Sequence, residues 1–487
     1  MGKVAVQAEF RPILPVVVGN KDYRETRAMV ERIDELLARS GLEDGAIRAK
    51  LATERFERAG DEARAWKQAQ LALRCTLARQ LTVKAVRSFS AQLADSPLWQ
   101  WFCRIDRLLV VRVPSKSALQ RYEAMWSEAE IRALIGALNE MATSVEGAQR
   151  LGLNGTLDVS AYFADTTCVK ADIHFPTDWV LLRDAARTLI KAVSLIRQHG
   201  IRHRMPAPEG FLRAMNALCM AMTQGRRRPD SRRQRKRVLR QMKRLTQTIR
   251  RHAQRHRDAL LARREESDLS EAQARQIVGR LDNVLEQLPA AIKQAHERII
   301  GARQVPNAEK ILSLYDPDIH VIVRGKADAE VEFGNVLYLA EQLEGVIVDW
   351  SLLREGSPGD ARLLEERLAV ARDVLGADAI RAVGADRGFD TRKVRDLLAE
   401  RKIYNGICPR DPRRLKRRLA QEDFRALQWR RGQTEGRIGI LKNAFLGSPL
   451  RNKGFASRER SVAWAVLAHN LWVFADLPQA KTLEKAA

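Results

Sequence analysis

The sequence predicts an α/β protein: one mixed sheet flanked by helices, preceded by an all-helical amino-terminal segment and interrupted by a long basic helical insertion. From about residue 310 onward, strand-like and helix-like segments alternate, the order that builds a sheet with helices packed on its faces. Far upstream, "TLDVSAYFADTTCVK" at 156 to 170 alternates and is rich in β-branched and aromatic residues, which predicts a further strand. Between the two, from about 180 to 305, there is no strand-like alternation and the apolar spacing is helical.

A chain of 487 residues with 45% hydrophobic residues is long enough for roughly three ordinary domains, each with a core. Lysine and arginine number 85 against 60 acidic residues, a formal charge of +25, which favours a polyanionic partner. The longest apolar stretches, "ILPVVV" at 13 to 18 and "VAWAVLAHNLWVFA" at 462 to 475, fall short of the roughly 18 to 20 residues that span a bilayer. The first twenty residues lack a signal-peptide core, so the expectation is a soluble intracellular protein with no membrane partner. Cys75, Cys103, Cys168, Cys219 and Cys408 have no paired spacing, which argues for reduced thiols and against structural zinc.

Taken in order, residues 1 to 155 form an amino-terminal helical domain expected to bind DNA, in which Ser115 or Ser117 is placed to cap a helix with Lys116 and Arg121 near its start. Residues 156 to 178 hold the first strand of the sheet. Its period of two puts Asp165 on the face of Val159, Ala161 and Phe163, as an acid ending an apolar strand face.

Residues 179 to 305 make the insertion. Val238, Met242, Leu245, Ile249, His252 and His256 recur at steps of four and three, and Ile277, Leu281, Val284 and Leu288 repeat those steps after a Ser270/Gln273 capping box. This predicts an antiparallel helical hairpin whose second arm kinks or ends near Pro289. The histidine pair reads as a seam, because no carboxylate or thiol nearby completes a metal site. From Arg226 to Arg264 the chain carries 17 basic and 2 acidic residues, more than half of the excess charge in 39 positions. Such a density opposes helix formation unless an anion offsets it, so Arg232, Arg233, Arg235, Lys236 and Arg237 are candidate nucleic-acid contacts.

Residues 306 to 487 supply the rest of the sheet. "HVIVRG", "AEVEFGNVLYLAE", "GVIVDWSLL", "DAIRAVGADRGF" and "IYNGICPR" read as strands, with helices over "DARLLEERLAVARDVLG" and "TRKVRDLLAERK". Asp386 ends its strand on the face of Ile380, Ala382 and Gly384, and open α/β sheets form their sites at strand ends. In "QWRRGQTEGRIGILKN", residues 428 to 443, Arg431, Glu435 and Lys442 fall within about 40° of one helix face. Alone, that spacing is a salt-bridge ladder. Set beside Asp165 and Asp386, it describes three acids that repel one another unless cations neutralise them, and hard oxygen donors suit Mg²⁺ or Mn²⁺. Two such ions about 3.5 to 4 Å apart activate a water or sugar hydroxyl and stabilise the leaving oxygen in phosphodiester displacement. Arg437 belongs to the cations around Glu435 that would grip a DNA backbone.

On "FADTTCVKADIHFPTD", "GADRGFD" and the Arg-x3-Glu-x6-Lys spacing of "RGQTEGRIGILK", the sequence resembles the DDE transposases of bacterial insertion sequences. The likeness extends over "VRGKADAEVEFGNVLYLAE" and "NKGFASRERSVAWAVLAHNLWVFA", about half of the chain. It implies an RNase H-like catalytic core, with Asp165, Asp386 and Glu435 holding two Mg²⁺ ions (Mn²⁺ as substitute), and with Arg431 and Lys442 on the element's terminal DNA. It further implies cleavage and strand transfer on double-stranded DNA at terminal inverted repeats, at least a homodimer on those ends, and a place in the bacterial cytoplasm at the nucleoid. A non-catalytic repeat-binding protein, or a nuclease that cuts without joining, is the alternative. Two departures stand out. Gln428 occupies the place where many relatives have a tyrosine, and only 48 residues separate Asp386 from Glu435, so the long insertion lies between the two aspartates instead.

Overall fold

The computed structural model describes residues 12–224, 231–323 and 331–478. The start of the basic run, 226 to 230, and the stretch 324 to 330 lie outside them.

The amino-terminal segment is helical as expected: α1 (Lys21–Arg39), α2 (Leu42–Leu51), α3 (Ala59–Thr82), α4 (Val86–Asp95), α5 (Pro97–Phe102), α6 (Lys116–Met125), α7 (Glu128–Thr143) and α8 (Val145–Arg150). Local chemistry starts several of them. Ser115 caps α6 through the Ala118 N–H, and Ser127 with Glu130 forms a capping box on α7. Arg74 of α3 is fully buried and donates to Glu43 of α2 at 2.6 Å, to Asp34 of α1 at 2.5 Å and to the Phe102 carbonyl of α5 at 2.9 Å, so one guanidinium fastens four helices.

Strand β1 (Ala161–Lys170) follows, and the chain then leaves the sheet for α9 (Asp178–Gln198), α10 (Pro208–Gln224), α11 (Ser231–Ala262) and α12 (Glu271–Ala295). The expected two-helix hairpin is a four-helix unit. The stripe that α11 buries, including Val238, Met242, Ile249 and Ala253, meets Leu182, Leu189 and Val193 of α9 and Met215 and Met222 of α10 as well as α12. A second arm alone would have left part of that stripe in water. Helix α12 also runs through Pro289 to Ala295 instead of ending there. The Ser270/Gln273 capping box is present, and His256 packs in the seam against His203.

The remaining elements are β2 (His320–Val323), β3 (Val331–Glu341), β4 (Ile347–Leu352), α13 (Asp360–Leu375), β5 (Ala382–Gly384), α14 (Arg392–Glu400), β6 (Tyr404–Asn405), α15 (Pro412–Arg418), α16 (Glu422–Ile440) and α17 (Phe455–Asp476). The strands make one mixed six-stranded sheet in the order β2, β3, β1, β5, β6, with β4 also paired to β3. Strand β3 is antiparallel to β1, β2 and β4, whereas β5 is parallel to β1 and β6 to β5.

Helices cover both faces. On one, Leu364 and Leu368 of α13 and Val394 and Leu398 of α14 bury Tyr162, Ala164, Tyr338 and Ala340. On the other, Val169, Leu337, Leu339 and Trp350 join a core shared by α17 and the amino-terminal helices. Asn470 of α17 closes that layer, accepting from the Ile347 N–H at 2.9 Å and donating to its carbonyl at 2.8 Å. No described helix is long and apolar enough to cross a membrane.

Candidate active site

The site is set by where β5 stops. It pairs with β1 only at Ala161↔Ala382, Tyr162↔Val383 and Phe163↔Gly384, after which β1 continues beside β3 alone. Two residues further along each chain bring Asp165 and Asp386 to the same level of the sheet, at the crevice where the two strands part. Asp165 is thus not at the end of its strand, as the sequence suggests, but in its middle, opposite Leu339. What ends there is the parallel neighbour.

Both aspartates are held by backbone N–H groups. Asp165 Oδ1 accepts from Thr166 at 2.7 Å, and Asp386 Oδ1 accepts from Gly388 at 2.7 Å, capping the turn Arg387–Phe389. Arg410 secures that turn by donating to the Arg387 and Gly388 carbonyls, each at 2.8 Å. Burial pushes the Asp165 carboxyl up to about 6, the Thr166 N–H pulls the other way, the charges of Asp386 and Asp360 add to the rise, and Arg431 opposes it.

Asp360, not singled out from the sequence, is therefore part of this neighbourhood. It is the first residue of α13 and accepts from Thr166 Oγ1 at 3.0 Å. A Cβ on Gly388 would stand 2.6 Å from Asp360 Oδ2 and 2.9 Å from Asp386 Oδ1, so the glycine lets both carboxylates approach one turn. The only signal in the sequence is an acid after "SPG", which reads as an ordinary helix start.

Helix α16 covers the Asp165 face. Arg430 lies 4.7 Å over the Phe163 ring and donates to Glu341 Oε1 at 2.8 Å and to the Leu343 and Gln342 carbonyls at 2.7 and 2.6 Å. Arg431 carries its charge to Asp165, and Lys442, in the π-helical turn Leu441–Leu446, donates to Thr167 Oγ1 at 3.2 Å. The order Arg430, Arg431, Lys442 follows the order Phe163, Asp165, Thr167, so the helix runs along β1 in the strand's own direction. Glu435 occupies the intervening turn and is exposed.

Asp165, Asp386 and Arg431 are thus brought together, with Lys442 on the next residue of the same strand face. Among the described residues, no three His, Cys, Asp or Glu side chains converge closely enough to hold a metal ion. Arg437 takes a different position from the DNA-facing one expected. Its half-buried guanidinium lies over Gly345 between Glu341 and Glu344, where burial lowers its pKa. On α11, Arg232, Arg233 and Arg237 are exposed and Lys236 is half-buried, while the Arg235 guanidinium sits 5.1 Å over the Trp179 ring.

No family model matches this chain, and searches among curated proteins and among solved structures found no match.

Proposed function

We propose that this protein is a DDE-type DNA transposase with an RNase H-like core, which cuts the 3′ ends of an insertion sequence's inverted repeats and joins them to target DNA. The observation that carries the reading is the level placement of Asp165 and Asp386 on neighbouring parallel strands, beneath a helix bearing Glu435 between Arg431 and Lys442. The mixed sheet with helices on both faces supports the RNase H-like assignment.

The two neighbouring aspartates are donors of the kind divalent metal takes. Asp165 is held near pKa 6 by burial and by two further carboxylates, an arrangement that Mg²⁺ or Mn²⁺ would relieve. Asp165 and Asp386 would hold the ions; Glu435, exposed on α16 and not converged with them in this structure, would have to close on the crevice to serve as third donor. When bound, two such ions supply charge neutralisation at the phosphodiester and lower the pKa of the attacking water or 3′-hydroxyl. Arg431 and Lys442 hold phosphates beside the crevice, and the exposed basic residues of α11 bind the flanking duplex. Two such ends joined in one complex call for at least two copies of the chain on DNA, acting at the nucleoid of a bacterial cytoplasm.

The test is cleavage and strand transfer on the DNA ends flanking the gene, with Mg²⁺ or Mn²⁺, comparing the native protein with Glu435→Gln. Metal-dependent cutting and joining that vanish in the variant support the assignment. Tight binding with no cutting by either protein would leave a repeat-binding regulator, and cutting without joining would leave a nuclease.

A further inference from the structure

Two clefts share one lysine, and neither is used by the chemistry above. The first, of about 900 Å³, lies between α9 and α12 and is lined by Arg187, Lys191, Arg280 and Lys453. The second, of about 840 Å³, lies between the amino-terminal helices and the segment 443 to 453 and is lined by Arg79, Lys84, Arg87, Lys116, Arg451 and again Lys453. Lys453 is therefore common to both. It is held over the Tyr315 ring, 5.6 Å from the centroid, and Tyr315 itself lines the first cleft.

The charge is one-sided. Among the lining residues the only carboxylate is Glu123, and it is engaged: Arg79 pairs with it at 3.0 Å, while Asn452 and Ser461 donate to it at 3.0 and 3.2 Å. Those bonds fasten α6 to the segment that forms the opposite wall. Lys84, Arg87, Lys116, Arg187, Lys191, Arg280, Arg451 and Lys453 are all exposed. Asn443, which lines the second cleft, follows Lys442, whose ammonium reaches Thr167 two residues from Asp165. The second cleft is thus lined from the residue next to Lys442, and the first shares Lys453 with it.

We infer that the two clefts form one track for the phosphate backbone of duplex DNA, running from the amino-terminal helices to the four-helix unit, with Lys453 as its junction. That the polyanion is DNA rests on the function proposed above. Duplex is favoured over single strands because the lining offers no stacking platform: Phe445 is buried and Tyr315 is covered by Lys453. Cations without shape-specific partners contact phosphates and carry no sequence preference.

The experiment measures binding of the full-length protein to a labelled duplex, without divalent metal, across a range of salt, together with hydroxyl-radical footprints. The variants are Lys453→Glu, the pair Lys84→Glu with Arg87→Glu, and the pair Arg187→Glu with Lys191→Glu. Every phosphate that a variant no longer neutralises makes the slope of log K against log salt shallower by about 0.9. Each variant is expected to weaken binding about tenfold or more near 0.1 M salt. The two pairs shorten the footprint from opposite ends, and Lys453→Glu interrupts it between them. Native-like affinity, slope and footprint in all three would overturn the track while leaving the catalytic reading untouched. Tighter binding of single strands than of duplex by the native protein would overturn the duplex assignment. Loss of cutting in Glu435→Gln has no bearing on the track, whereas failure of the native protein to bind any duplex overturns both.

Discussion

The Phe163 ring lies against the backbone of Gly384, so closely that a Cβ on that glycine would fall 2.7 Å from it. Phe163 carries the Arg430 guanidinium on its other side, and Arg430 is paired with Glu341 at the end of β3. One stack therefore fixes β5, β1, α16 and β3 relative to one another, two residues short of Asp165 and Asp386. The geometry of the crevice depends on a buried cation that takes no part in the chemistry.

Removing that cation strips buried Glu341 of its ion-pair partner, leaving it the Thr434 hydroxyl and the neighbouring charge of Arg437. Arg430→Met is expected to lower unfolding stability by about 3 kcal/mol, as for other broken buried ion pairs. Adding Glu341→Leu should recover much of the loss, because the orphaned charge is then gone. Urea unfolding of the single and double variants measures the coupling, and simple additivity of the two substitutions would show that the pair does not act as a unit.

Gly388 separates two carboxylates. In Gly388→Ala the new methyl group meets Asp360 Oδ2 and Asp386 Oδ1 at less than contact distance. The expected outcome is a folded protein with near-native melting and at least a tenfold loss of DNA cleavage, since Asp386 must move. Retained cleavage would mean that this turn can shift without disturbing the crevice.

The raised Asp165 carboxyl links stability to pH. Its folded pKa of about 6 lies above the unfolded value near 3.9, so the protonated form is favoured by folding. Its contribution is fully present below about pH 4 and is lost as pH rises through 6. Asp165→Asn should therefore be more stable than the native protein by roughly 3 kcal/mol at pH 7, with the difference vanishing near pH 4. Mg²⁺ should raise the melting temperature of the native protein at pH 7 and have less effect on the variant.

His469 acts in the opposite sense. Burial lowers its pKa to about 4, with Asn470 opposing the shift and Arg437 adding to it. The neutral ring is the folded form, so stability present above about pH 6.5 is lost as pH falls toward 4, by roughly 3 kcal/mol in all. His469→Gln should flatten the acid limb of stability against pH. An unchanged acid limb would show that the ring is not held neutral.

The alternation of strands and helices after residue 310 was readable because each element carries its own period, and so were the positions of Asp386 at a strand end and of Glu435 on a helix. Helical spacing shows which residues share a face, but not which face is buried. Arg437 read as part of a DNA-facing cluster, yet its half-buried guanidinium lies over Gly345 beside Glu341 and Glu344; Arg430, which the pattern did not mark, is buried against the sheet's own carbonyls and Glu341. Asp360 was hidden for a related reason. Its importance comes from a neighbouring strand and a turn distant in sequence, and nothing local marks it. The four-helix unit was underestimated because an apolar stripe gives the existence of a partner surface and not the number of helices that supply it.

The position of the four-helix unit between β1 and β3 also orders events in time. As the chain emerges during synthesis, β1 is made before either strand that pairs with it, and its partner in β3 follows only after the whole helical unit. That unit has a core of its own, built from contacts close in sequence, and can collapse while β1 waits as an unpaired edge. The crevice that holds Asp165 and Asp386 is consequently among the last parts of the molecule to form, so a chain halted before β5 would have a folded helical unit and no crevice.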